Sequence, residues 1–250
     1  MMKRIFYFAI LILAVLATCC SDHNVSVTIS GNIQNGRNQM MRLALITSDG
    51  MDFIDSTNLK DGRFEFKISS ENELIKEREN APMMFQLFLS EDNCISTMAK
   101  KGEHLQITAD AENLTRTYHI SGGEEAVLMH QLDSALTAFA IPTEKLFEPY
   151  KSNIYDDSVR AAIEAQYVPL VQQHRQYLEN FIDEHPNNMA CYIAFYQSFN
   201  RRTFFDPLQD LALLKKINAN MSKIYPESEY VKTMIHVADM IELRRPKSEQ

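Results

Sequence analysis

Cysteine is scarce in this sequence: four in 250 residues, Cys19, Cys20, Cys94 and Cys191, with no C-x-x-C among them. Local spacing therefore builds neither a redox pair nor a cysteine zinc site, and a disulfide-dense scaffold is excluded. Positive charge is also short. Lys and Arg number 25 against 33 Asp and Glu, a net charge of -8, or -10 without Lys3 and Arg4, which argues against a nucleic-acid surface. The seven histidines (His23, His104, His119, His130, His174, His185 and His236) never fall at i, i+4, so no H-E-x-x-H zinc motif arises. Equally absent are G-x-S-x-G, G-x-x-x-x-G-K and G-x-G-x-x-G, the nucleophile elbow and the phosphate-binding loops. No catalytic residue, metal site or bound cofactor is expected from such a chain.

Only one long apolar run occurs, the twelve residues Ile5 to Leu16, preceded by Lys3 and Arg4 and followed by Ala17, Thr18 and Cys19. As a helix it spans about 18 Å, short of the roughly 30 Å hydrocarbon core, so it reads as a secretory signal and not as a membrane span. Leu16-Ala17-Thr18-Cys19 resembles a bacterial lipobox, in which the cysteine is diacylated and becomes the new N-terminus. Thr18 departs from the usual small residue before the cysteine. Cys19 is the favoured lipidation site and Cys20 the alternative, and the diacylglycerol and fatty acyl chains are the only non-protein groups expected. Two or three acyl chains give stable membrane attachment.

Glycine and proline are segregated along the rest of the chain. All seven glycines precede residue 124, whereas seven of eight prolines follow it, which marks a boundary near Gly122-Gly123. Before that boundary the period is two: Val25, Val27 and Ile29; Met41, Leu43 and Leu45; Phe64, Phe66 and Ile68; Phe85, Leu87 and Leu89; Leu105 with Ile107; Tyr118 with Ile120. Turn signals at Asn35-Gly36, Asp49-Gly50 and Asp61-Gly62 separate the runs, and six to eight short strands in a β-sandwich are expected. Glu71 to Asn80 reads as a charged, solvated connection.

Beyond the boundary the period becomes helical. Leu128, Leu132, Ala135, Leu136 and Phe139 share one helix face, and Ile163, Tyr167, Leu170, Val171, His174, Leu178, Phe181 and Ile182 share another. Pro169 is expected to kink or divide the second helix. Asn188 is placed to cap a short helix, Pro207 to begin one carrying Leu208, Leu211, Leu214 and Ile217, and a last helix runs from about Glu227 to Leu243. The fold class is thus α+β: a signal peptide over residues 1–19, a β-sandwich over 20–123 and an all-helical domain over 124–250.

Val27 to Gly31, Ile54 to Thr57, Asp61 to Phe66 and Ile120 to Gly122 together resemble the β domain of DUF4369 lipoproteins of Bacteroidota. The helices that follow, with Phe181-Ile182-Asp183-Glu184-His185-Pro186, resemble the region that joins this domain to a thioredoxin-like domain in longer members. Here the sequence closes on Lys247-Ser248-Glu249-Gln250 without a C-x-x-C, so oxidoreductase activity does not come with the resemblance. What it implies is an envelope lipoprotein.

Candidate chemistry is sparse. Cys94 and Cys191 are expected as separate buried thiols, a disulfide between them being the alternative. The pairs Glu124-Glu125 and Asp156-Asp157 stand at helix starts, where carboxylates stabilise exposed amides. Phe195, Tyr196, Phe199, Phe204 and Phe205, with Arg201 and Arg202 between them, form a candidate binding face, helix core followed by an exposed loop being the simpler reading. The function expected is a non-catalytic binding or accessory module, lipid-anchored in the cell envelope on its extracytoplasmic side and engaging an envelope protein such as a separate thioredoxin-fold partner. The alternative is a small-molecule or glycan-binding envelope lipoprotein.

Overall fold

The computed structural model describes residues 24–148 and 157–244. The strands β1 (Val25–Gln34), β2 (Met40–Thr47), β3 (Gly50–Asn58), β4 (Arg63–Ser69), β5 (Met83–Ser90), β6 (Asn93–Ala99), β7 (His104–Asp110) and β8 (His119–Ser121) are joined by turns and by two one-turn helices, α1 (Glu73–Lys76) and α2 (Leu114–Thr117). They form two four-stranded sheets, ordered β4-β1-β7-β8 and β3-β2-β5-β6. Because side chains alternate across a strand, every second residue enters the gap between the sheets. Val27 and Ile29 of β1, Phe64 and Phe66 of β4, and Leu105 and Ile107 of β7 there meet Met41, Leu43 and Leu45 of β2 and Phe85 and Leu87 of β5 in one buried cluster. This is the sandwich expected from the alternation.

Two local features show how the sequence sets the geometry. Asp61 (φ 53°) and Gly62 (φ 80°) both adopt positive φ, and Lys60 and Arg63 exchange backbone bonds of 3.1 and 3.0 Å across them, the two-residue turn that suits the twist of a hairpin. Gly31 of β1 stands opposite Ile107 of β7 in a parallel pairing, and a Cβ there would fall 1.9 Å from the Ile107 carbonyl oxygen. Only glycine allows this approach.

Two expectations about the sandwich need correction. The second hairpin turns at Ser48-Asp49, because Gly50 already pairs with Thr47 in β3. The Glu71–Asn80 stretch is not simply solvated: it holds α1, whose Ile75 is fully buried and whose Leu74 packs against the sandwich core. Two adjacent apolar residues among charges are enough to dock this turn on the sandwich core.

The second half contains α3 (Glu124–Phe147), α4 (Asp157–Glu184), α5 (Ala190–Tyr196), α6 (Leu211–Ile224) and α7 (Glu229–Arg244). It is not all-helical. A two-stranded hairpin, β9 (Ser198–Phe199) with β10 (Arg202–Thr203), follows α5, its turn residues Asn200 (φ 49°) and Arg201 (φ 65°) both left-handed. Helix α4 runs on through Pro169 and is not divided, and α3 likewise holds Pro142 inside it. Helix α6 begins at Leu211, with Pro207 and the exposed Leu208 in the preceding turn.

The chain changes from strand to helix at Gly122-Gly123, but packing continues across the change. Helix α3 lies on the outer face of the second sheet along β6. Met98 of β6 and Met84 of β5 point into the helical core, and Ala126 of α3 joins the sandwich core. The result is three layers, sheet on sheet on helices. Among the described residues no helix is long and apolar enough to cross a membrane.

Candidate functional site

The aromatic residues singled out in the sequence are brought together, but mostly facing inward. Phe195 and Phe205 stack at 5.4 Å with an interplanar angle of 2°, and both are buried, as is Phe204. Tyr196 and Phe199 are half-buried, and only Arg201 and Arg202, on the β9–β10 hairpin, are exposed. Phe139 of α3 gathers Phe199 and Phe204 edge-on at 5.3 and 5.1 Å. His174 completes this nest, bonded through Nε2 to Gln197 Oε1 at 2.6 Å, while Gln197 Nε2 donates to the Leu132 carbonyl at 3.1 Å. Burial lowers the His174 pKa against the opposing effect of Gln197, so the ring is a neutral core histidine.

Polar side chains in the helical half are spent on structure. Arg175 donates to both carboxylate oxygens of Asp210, at 2.6 and 3.1 Å, to Glu179 at 3.1 Å and to the Phe204 carbonyl at 2.9 Å. Its guanidinium lies 4.6 Å from the Phe205 ring centre. Burial pushes the Asp210 carboxyl up, but the Arg175 fork and the Asp206 amide outweigh it and hold the group below the usual carboxylate value.

Glu125 has a role that its place at a helix start did not reveal. Fully buried, it accepts the amides of Met189 and Ala190, each at 3.0 Å, and Asn188 Nδ2 at 3.4 Å. A carboxylate of α3 therefore caps α5, and the Asn188 side chain supports that cap where it was expected to be the cap itself. Glu124 does stand in the first turn of α3. Asp156 lies outside the described residues, as do Cys19 and Cys20.

Cys94 and Cys191 are free thiols, the first half-buried and the second buried. Burial raises both, Cys191 to about 12, so neither is poised as a thiolate at neutral pH. Among the described residues no group of three or more His, Cys, Asp or Glu side chains is placed to hold a metal ion.

What stands open is the outer face of the second sheet. Helices cover its β5–β6 half, leaving the β2–β3 half uncovered. Since Met41, Leu43 and Leu45 face the sandwich, their neighbours on β2 face outward, where Ala44 lies opposite Phe53 and Ile46 opposite Met51. Met40, Met51 and Phe53 are 46%, 56% and 59% exposed. From Ile46 the strip continues into a slot of about 60 Å³ between sandwich and helices, lined by Met84, Met98, Met189 and Tyr230. Glu77, Glu227 and the ion pair of Arg78 with Glu229, 3.1 Å long, line its polar side. The outer edge of β3 has no strand partner among the described residues.

With this geometry in view, the sandwich can be assigned. Residues 27–129 match DUF4369, a domain of unknown function. No curated protein and no solved structure matches the chain. The DUF4369 match runs from β1 into the first turns of α3, so it includes Ala126, the helical residue that joins the sandwich core. The exposed strip lies wholly within the DUF4369 region, whereas Met189, just before α5, and Tyr230 of α7, which close the slot, come from the helical half beyond it.

Proposed function

We propose that this protein is a non-catalytic binding module, lipid-anchored through Cys19 or Cys20 in the cell envelope, that captures an extended segment of another envelope protein along the β2–β3 face. The observation that carries this reading is the exposed pair of Met51 and Phe53 beside Ile46, running into the methionine-lined slot. Methionine is unbranched and polarisable, so a slot built from it adapts to differently shaped apolar side chains. A volume of about 60 Å³ suits one small apolar anchor on a peptide better than a free drug-sized ligand, whose pockets run to about 300 Å³ or more. The unpaired edge of β3 offers backbone groups to an added strand. At the slot three carboxylates, Glu77, Glu227 and Glu229, stand against two cations, Arg78 and Lys232, so the segment it suits is apolar with basic flanks. A separate thioredoxin-fold protein carrying such a segment would fit the expectation drawn from the family.

A test uses the full chain in detergent and two labelled peptides, Lys-Leu-Lys-Leu-Lys and Glu-Leu-Glu-Leu-Glu, followed by fluorescence anisotropy. The reading expects saturable binding of the lysine peptide, weakened at least tenfold by Phe53→Ser with Met51→Ser, two exposed positions where folding should survive. Equal binding of both peptides, or no effect of the double substitution, would overturn it. The alternative, a small-molecule or glycan site on the aromatic cluster, has little surface to act through, since Phe195 and Phe205 are buried.

A further inference from the structure

A second concavity lies on the opposite side of α3, where α2 and β8 meet it, independent of the strip and the slot. It has a volume of about 160 Å³ and is lined by Thr115, Arg116, Tyr118, His130, Asp133 and Ser134, with Thr137 behind them. Every residue lining it carries a polar group, and four of them already spend a donor on the protein. Tyr118 Oη donates to Asp133 Oδ2 at 2.5 Å. His130 Nε2 donates to the Tyr118 carbonyl at 2.8 Å, which can only accept. Thr115 Oγ1 donates to the Cys94 carbonyl at 2.6 Å, and Arg116 Nη2 donates to Glu144 at 2.8 Å, its charge thereby balanced at the rim.

Acceptors remain: the second oxygen of Asp133 and the free lone pairs of Tyr118 Oη and Thr115 Oγ1. We propose that this cavity binds a protonated primary amine, with the ammonium group against Asp133 and its N–H bonds directed to these acceptors. An ammonium carries three donors and no acceptor, which complements these acceptors. It also supplies the positive charge that a half-buried carboxylate with a single hydrogen bond lacks. The volume, about that of five liquid waters, admits a short alkylammonium or the ring of an amino sugar.

Isothermal titration on the full chain in detergent separates charge recognition from generic polar binding, with n-butylammonium, glucosamine and glucose as probes. At least one ammonium probe is expected to bind saturably, and glucose at least tenfold more weakly than glucosamine. Asp133→Asn keeps an acceptor for Tyr118 and removes the charge, and is expected to weaken the ammonium probe at least tenfold. Ser134→Phe, at an exposed position on the rim, is expected to block it. No saturable binding of either ammonium probe, glucose bound as tightly as glucosamine, or unchanged affinity in a folded Asp133→Asn protein would each overturn the proposal. Should Asp133→Asn fail to fold, Ser134→Phe decides, and unchanged affinity there overturns it.

Discussion

Glu125 is the residue on which the helical half is hung. Its carboxylate holds two amides at the start of α5 from a different helix, and Glu125→Ala would leave both buried and unpaired. A loss of about 3 kcal/mol is expected, at 1 to 3 kcal/mol for each buried donor left without a partner, read as a lower urea midpoint. Burial raises the Glu125 pKa, against the Met189 and Ala190 amides, Lys100 and Asn188. The folded state therefore keeps this proton to higher pH than the unfolded chain, and stability falls as pH rises from the ordinary carboxylate range through the raised value. Glu125→Gln should remove that part of the pH dependence. Asp210 works in the other direction. Its folded value lies below the ordinary one, so its contribution is present above the ordinary carboxylate range and is lost on acidification. Asp210→Asn should be less stable than the parent at neutral pH and approach it as the pH is lowered.

At the scale of elements, β1 depends on the missing side chain of Gly31. Gly31→Ala would drive a methyl group into the Ile107 carbonyl and should destabilise by about 1 to 3 kcal/mol, as overpacking does, seen as an earlier thermal transition. Much of the sandwich was legible because period-two alternation reports directly which residues face a core: Val27, Ile29, Phe64, Phe66, Phe85 and Leu87 all lie in it. Asp61-Gly62 was legible too, since both residues tolerate positive φ. The parallel partnership of β1 and β7 was not, because alternation says nothing about which strands become neighbours. For the same reason the candidate strip was hidden. Met51 and Phe53 are exposed because β3 is an edge and its outer face lies beyond the helical layer, facts of strand order and not of composition. The Glu125 cap joins residues more than sixty positions apart, out of reach of local capping rules, and the aromatic cluster showed its membership but not its inward direction.

At the scale of the whole molecule, the helices and the sandwich share an interface through Met84, Met98 and Ala126. A single thermal transition is expected for the full chain, with coincident loss of strand and helix signals by circular dichroism. A fragment ending at Gly123 should bind a hydrophobic dye and self-associate, since the outer faces of β5 and β6 would lose their cover. The proposed anchor has its own test. Labelled palmitate should enter the parent and Cys20→Ala but not Cys19→Ala; the reverse pattern would assign Cys20, and an unlabelled parent would remove the anchor from the account.

The parallel pairing of β1 with β7 bears on the order of folding. The strand at the centre of the first sheet emerges first in synthesis, yet one of its two neighbours lies 76 residues further along, the separation of Ser30 from Gln106. β1 thus spends that interval with one long edge unsatisfied, and closing so large a loop is slow compared with making a hairpin. Refolding is expected to be limited by this closure, with the β2–β3 and β5–β6 hairpins forming earlier. The chain is most exposed to wrong pairing while it waits for β7.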